Sequence, residues 1–146
     1  MKRKIASIKV GLFAHATEDP QKVERSFQTL ISSKRAEEVP LHKRTLKGEY
    51  GNPIIYYRTN ITKPEIIKEI LTKIGHNLPP YEKEMLNLEL ERRVEKGNLY
   101  LRLDKQSAYM GRFRLCNADP IHLKIRFKNS KIDYIRSVCK ELGILP

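Results

Sequence analysis

Five cations alternate with apolar residues in the last third of the sequence: Arg112 and Arg114 flank Phe113, and Lys124, Arg126 and Lys128 interleave with Ile125 and Phe127. Extended chain sends successive side chains to opposite sides. In two neighbouring strands whose apolar residues pack inward, all five cations therefore project the other way. Like charges side by side on a sheet cost stability, and a polyanion laid across them would relieve that cost. The chemistry such a stripe supports is capture of a phosphate backbone. Arg102, between Leu101 and Leu103, and the earlier Lys43, Arg44 and Lys47 extend the same surface. Tyr56, Tyr57, Tyr100 and Tyr109 lie close to these segments and carry rings that can stack on bases. Tyr56 and Tyr57 are adjacent, so only one of them can face the cations.

Catalysis finds less support. His15, His42, His76 and His122 show no metal-ligand spacing, and the sequence contains no phosphate-cradling glycine loop and no G-x-S-x-G elbow. Asp104 and Lys105, with Glu91 and Asp119 not far away in sequence, are the residues from which a metal-dependent nuclease centre could be assembled. Asp104 equally suits a plain helix cap at the end of a strand. The expectation is a protein that is not an enzyme, with no catalytic residues, no cofactor and no metal site.

The total charge agrees with a polyanionic partner, since 29 Lys+Arg face 17 Asp+Glu, a formal +12. Its distribution is more informative. Residues 1–17, 40–60 and 97–132 hold sixteen Lys/Arg and three acids, whereas the remaining segments are nearly neutral. The excess thus belongs to the strand-rich parts. A membrane surface would call for a net basic amphipathic helix, and DNA for an inserted recognition helix, whereas RNA is often held on an open sheet.

The elements that must position these residues follow from periodicity. Residues 4–15 read as a strand with Ile8, Val10 and Leu12 on one side and Lys9 on the other. Asp19 and Pro20 open a helix over 20–33, and residues 32–40 form its exit loop. Residues 41–47 and 54–61 make a hairpin around Gly48–Pro53. Thr62 and Glu65 form a capping box before a helix that Gly75 closes, and a second helix runs from Tyr81 to about Lys96. Leu99–Leu103 is a strand, Lys105–Met110 a short helical segment, and 112–115 and 121–128 are two more strands. A last helix starts near Ser130 and stops at Gly143.

The order β-α-β-β-α-α-β-(α)-β-β-α predicts an α+β two-layer sandwich: one mixed or antiparallel sheet with helices on one face. With 146 residues and 40% hydrophobic content, residues 1–146 are expected to form a single domain. The longest apolar run is far below the ~20 residues a bilayer span needs, the N-terminus lacks a signal-peptide pattern, and Cys116 and Cys139 are too few for a disulfide framework. A cytoplasmic protein is expected.

Several segments together resemble a known family. Leu99–Gln106 with Ala108, Tyr109 and Gly111, the loop Gly51–Ile54, the stretch Ala16–Asp19, and Asp119–Ile125 are similar to small archaeal RNA-binding proteins described as predicted exosome subunits. The resemblance spans nearly the whole chain. It implies a ribosomal-protein-L-five-like sandwich, RNA binding without catalysis, and partners in the exosome or in ribosome-related RNA processing; a homodimer is compatible with it. It also draws attention to Lys105, Gln106 and Tyr109, which would sit beside the basic strands and reach phosphate or a 2′-hydroxyl. The expected RNA-binding set is therefore Arg102, Lys105, Gln106, Tyr109, Arg112, Arg114, Lys124, Arg126, Lys128, Lys43, Arg44 and Lys47. The alternative is an assembly or adaptor protein that docks on a partner protein, with the basic surface incidental.

Overall fold

The computed structural model describes residues 4–32, 35–48 and 50–146. The basic residues Lys2 and Arg3, Ser33 and Lys34 of the exit loop, and Glu49 of the hairpin loop lie outside that range. Strands β1 (Ile5–Ala14), β2 (His42–Lys47), β3 (Pro53–Ile61), β4 (Val94–Glu95), β5 (Asn98–Leu103) and β6 (Ile121–Phe127) form one antiparallel sheet in the order β2-β3-β1-β6-β5-β4. The helices are α1 (Pro20–Gln28), α2 (Pro64–Asn77), α3 (Pro80–Leu88), α4 (Leu90–Arg93), α5 (Lys105–Tyr109) and α6 (Ile132–Glu141). The α+β two-layer class read from the pattern is the one observed.

Alternation explains which face is covered. Ile8, Val10 and Leu12 of β1, Leu99, Leu101 and Leu103 of β5, and Ile121, Leu123 and Ile125 of β6 are all buried. They meet Val23 and Phe27 of α1, the stripe Ile66, Ile67, Ile70, Leu71 and Ile74 of α2, and Ile135, Val138 and Cys139 of α6 in one core. Each such side chain contributes roughly 1.5–3 kcal/mol by leaving water, so a one-residue slip of any central strand is prohibitive. Burial pushes the Cys139 thiol up to about 12, and it serves as a small core residue.

Local signals fix several boundaries as expected. Asp19 accepts from the Gln21 N–H with Pro20 at the first helical position, and Asp104 caps α5 through the Ser107 N–H. Gly143, at φ +81°, ends α6 with two bonds, Gly143 N–H to the Lys140 carbonyl and Ile144 N–H to the Cys139 carbonyl. That pair is the Schellman arrangement.

Other boundaries differ. Pro64 takes the first position of α2, which makes Lys63 the cap in place of Thr62. Gly75 lies inside that helix, which runs on to Asn77 and stops before Pro79 and Pro80. The glycine is there for contact: a Cβ on it would collide with the Leu142 carbonyl oxygen and stand 2.8 Å from the Gly143 carbonyl carbon. The expected helix from Tyr81 to Lys96 breaks at Glu89 into α3 and α4, and Val94–Glu95 then pair with β5. Residues 112–115 make no strand in the sheet; a lone bridge joins Leu115 to Leu103, and the neighbours of β6 are β1 and β5. Phe113 is instead drawn into the core.

Beyond the end of β1 an ionic cluster ties α1, α5 and the entry to β6. The ammonium of Lys105 donates to the Phe13 carbonyl at 2.7 Å and pairs with Glu18 at 3.0 Å and Asp119 at 2.7 Å. His15 Nε2 lies 3.0 Å from Asp119. Burial pushes the Asp119 carboxyl up, but Lys105 and His15 outweigh it and hold the group below its ordinary value.

Two outcomes follow from this packing. Gly75→Ala is expected to destabilise by about 1–3 kcal/mol in denaturant melts despite the better helix propensity of alanine, because the methyl group meets backbone that cannot yield cheaply. The depressed Asp119 contributes stability that is present above its unfolded-state pKa and is lost as pH falls through the folded value. Asp119→Asn should therefore lower the melting temperature most at pH 7, and its deficit relative to wild type should shrink towards pH 3.

Candidate nucleic-acid interface

Among the described residues the second face of the sheet carries no helix, and the strand register writes out its surface. One row crosses five strands: His42 of β2, Arg58 of β3, Gly11 of β1, His122 of β6 and Arg102 of β5 are successive partners. At 4.7–4.9 Å per strand this row spans roughly 19 Å. The next row reads Asn60, Lys9, Lys124 and Tyr100, followed by Ser7, Arg126 and Asn98. On the other side of the long row, Arg44, Tyr56 and Phe13 are partners.

Six lysines and arginines thus share one face: Lys9, Arg44, Arg58, Arg102, Lys124 and Arg126. None of the six forms an ion pair with a carboxylate among the described residues. Lys9 and Lys124 are direct cross-strand partners, an arrangement that costs stability in a sheet. At His122, burial first, and then the Arg102 guanidinium opposite it, hold the imidazole below its ordinary value. The surface is concave, enclosing about 670 Å³ between β2 and β5, with Gly11 in its floor.

Of the residues expected from sequence, Arg44, Arg102, Lys124 and Arg126 lie on this face, and Lys128, exposed, follows the end of β6. The others go elsewhere. Lys43 and Lys47 alternate to the helix side, where Lys43 pairs with Glu24 of α1 at 2.7 Å. Arg112 and Arg114 follow α5 in a loop, and Arg114 is held by Glu82 at 3.5 Å and by the Tyr81 ring and hydroxyl of α3. Lys105 is buried in its ionic cluster. Gln106 and Tyr109 sit on α5 against α1, with Arg25 over the Tyr109 ring. Tyr57 is in the core, whereas Tyr56 lines the concavity.

Lys9, Arg58, His42, His122 and Asn60 were not in the expected set, yet they line the same concavity. Arg58 and Asn60 alternate with the buried Tyr57 and Thr59, so the pattern that revealed the cations of β6 also marks these. The decisive information is which strand lies beside which, and periodicity does not supply it.

The residues from which a nuclease centre could have been assembled, Asp104, Glu91 and Asp119, do not gather as a metal-holding group among the described residues. The Asp104 carboxylate is taken by the Ser107 N–H and hydroxyl. Among the described residues, His15, Glu18 and Asp119 are the group whose ligand atoms lie close enough together to hold a metal, within 4.8 Å of one another. Between those two carboxylates sits the Lys105 ammonium. A divalent ion would have to displace a resident cation that also bonds the end of β1.

Comparisons with known proteins identify the family. A family model described as RNA binding matches residues 7–127, nearly the whole sheet. "RNA-binding protein PAB1135" of Pyrococcus abyssi is 32% identical over 125 residues, covering 84% of this chain and 81% of that protein. The uncharacterized protein MJ0213 of Methanocaldococcus jannaschii is 33% identical, over 94% and 97% of the two chains. The crystal structure of AF2318 from Archaeoglobus fulgidus, a DUF54 protein, superposes with a TM-score of 0.77 at 33% identity, over 95% of this chain and 99% of that one. The protein whose uncovered sheet face carries these cations belongs to the RNA-binding family.

Proposed function

We propose that the protein is a non-catalytic RNA-binding module that holds the RNA backbone on the open sheet face. The observation that carries this reading is the register, which gathers Lys9, Arg44, Arg58, Arg102, Lys124 and Arg126 on a face whose strand carboxylate, Glu95 at the β4 edge, forms no ion pair with any of them among the described residues. The Pyrococcus abyssi relative, named an RNA-binding protein, supports the same ligand class. Phosphates entering the rows replace repulsion between neighbouring cations with charge-assisted contacts. The exosome and ribosome-related RNA processing are the settings in which such a module would work, as a subunit that presents RNA while other subunits act on it.

A second reading, docking on a partner protein, is favoured by a separate observation. Tyr81, Met85 and Leu88 are exposed along one side of α3, at helical spacing. This stripe carries no charge, so salt dependence distinguishes the two.

Binding of a labelled RNA measured against salt should give log K falling with log salt by about 0.7 per phosphate contact for a single strand. Replacing Arg58, Arg102, Lys124 and Arg126 together by glutamine should remove most of the affinity and flatten that slope. The melting temperature should stay level or rise, because like-charge repulsion is removed. Arg114→Gln is the contrasting variant: it should lower stability slightly through Glu82 and leave the salt slope unchanged. A slope that survives the fourfold change would refute the open-face reading, and cleavage of RNA with magnesium or manganese, lost in Asp119→Asn, would overturn the non-catalytic one.

A further inference from the structure

The floor of the concavity holds an arrangement that electrostatics does not explain. Gly11 is in the central strand, and a Cβ there would stand 2.8 Å from the Tyr56 hydroxyl oxygen, 3.3 Å from Cε1 and 3.4 Å from Cζ. The phenol therefore lies across the glycine. Its ring is also stacked on Phe13, its cross-strand partner, with centroids 4.7 Å apart and planes 29° from parallel. Gly11 and Phe13 thus fix the ring from below and from one side, and the remaining surface of Tyr56 lines the concavity together with Arg58 and Asn60. An aromatic ring packed on two sides, half-buried and flanked by Arg44 and Arg58, is shaped to receive a flat partner on its remaining surface.

A base inside a duplex cannot reach such a ring. In A-form RNA the bases are stacked within the helix, and the outside offers ribose and phosphate; only an unpaired base can descend into a concave floor. We propose that Tyr56, seated on Gly11 and braced by Phe13, is a stacking platform for one unpaired base, so that the ligand of the open face is single-stranded RNA. This rests on the open-face reading and narrows it. Arg58, next on the same side of β3, and His122, across Gly11, are placed to take the phosphates flanking that nucleotide. Tyr100, exposed under Lys124, can take a second base on the far side of the face.

The test compares a twelve-nucleotide RNA carrying 2-aminopurine with the same strand annealed to its complement, using wild type, Tyr56→Phe, Tyr56→Leu and Gly11→Ala. The single strand should bind at least tenfold more tightly than the duplex and its fluorescence should be quenched. Tyr56→Phe should retain both effects. Tyr56→Leu should lose about 5- to 100-fold in single-strand affinity and the quenching, with the salt slope kept. Gly11→Ala, which lifts the phenol off the strand, should reproduce that loss if it folds as wild type by circular dichroism. Equal affinity for the duplex, or an unchanged affinity and quenching in Tyr56→Leu, overturns the platform while leaving the basic face intact. A salt slope insensitive to the fourfold arginine and lysine replacement removes both.

Discussion

A single sheet with helices on one side has one dry face and one wet face, and everything else in this protein follows from that division. The central strands spend every second side chain on the core shared with α1, α2 and α6. What remains is a surface that contributes little to hydrophobic burial and is free to carry charge. Antiparallel register then places those charges opposite one another, as with Lys9 and Lys124, so the fold holds cations at spacings that they would not choose. The stability of the core supports a surface that is electrostatically unfavourable by itself and complementary to a polyanion.

Not every cation is spent this way. Lys105, Lys43 and Arg114 are built into the structure, each against a carboxylate on another element. The Lys105 cluster has a particular place: it bonds the last residues of β1 and draws together Glu18 at the entry to α1 and Asp119 at the entry to β6. Three segments distant in sequence converge on one ammonium group. The segments that carry the family resemblance therefore include a structural clasp as well as Arg102, His122 and Lys124 of the open sheet face.

Much of the fold was legible in the chain because its signals are local. Asp19–Pro20, the Asp104 cap and Gly143 each act within a turn of their own position, and the alternation in β1, β5 and β6 is a property of short segments. Where two local signals competed, the outcome needed context. Phe113 alternates with two arginines in the manner of a strand, yet its burial in the core takes precedence and the segment stays a loop. Gly75 has the look of a helix terminator, and it is instead the point where α2 meets the end of α6.

The sequence by itself determined that there would be a sheet with one apolar side, that positive charge would concentrate in its strands, and that helices would be electrically balanced. Those are consequences of composition and of a two-residue period. Only the tertiary structure decided that β1 lies between β3 and β6, and with it that Arg58 and His42 share a row with Arg102. Strand order is set by how long-range segments fill a common core, which no local pattern encodes. The same holds for pairing of charges: whether a lysine meets RNA or a glutamate depends on which element folds against it, and that is known only once the chain has closed on itself.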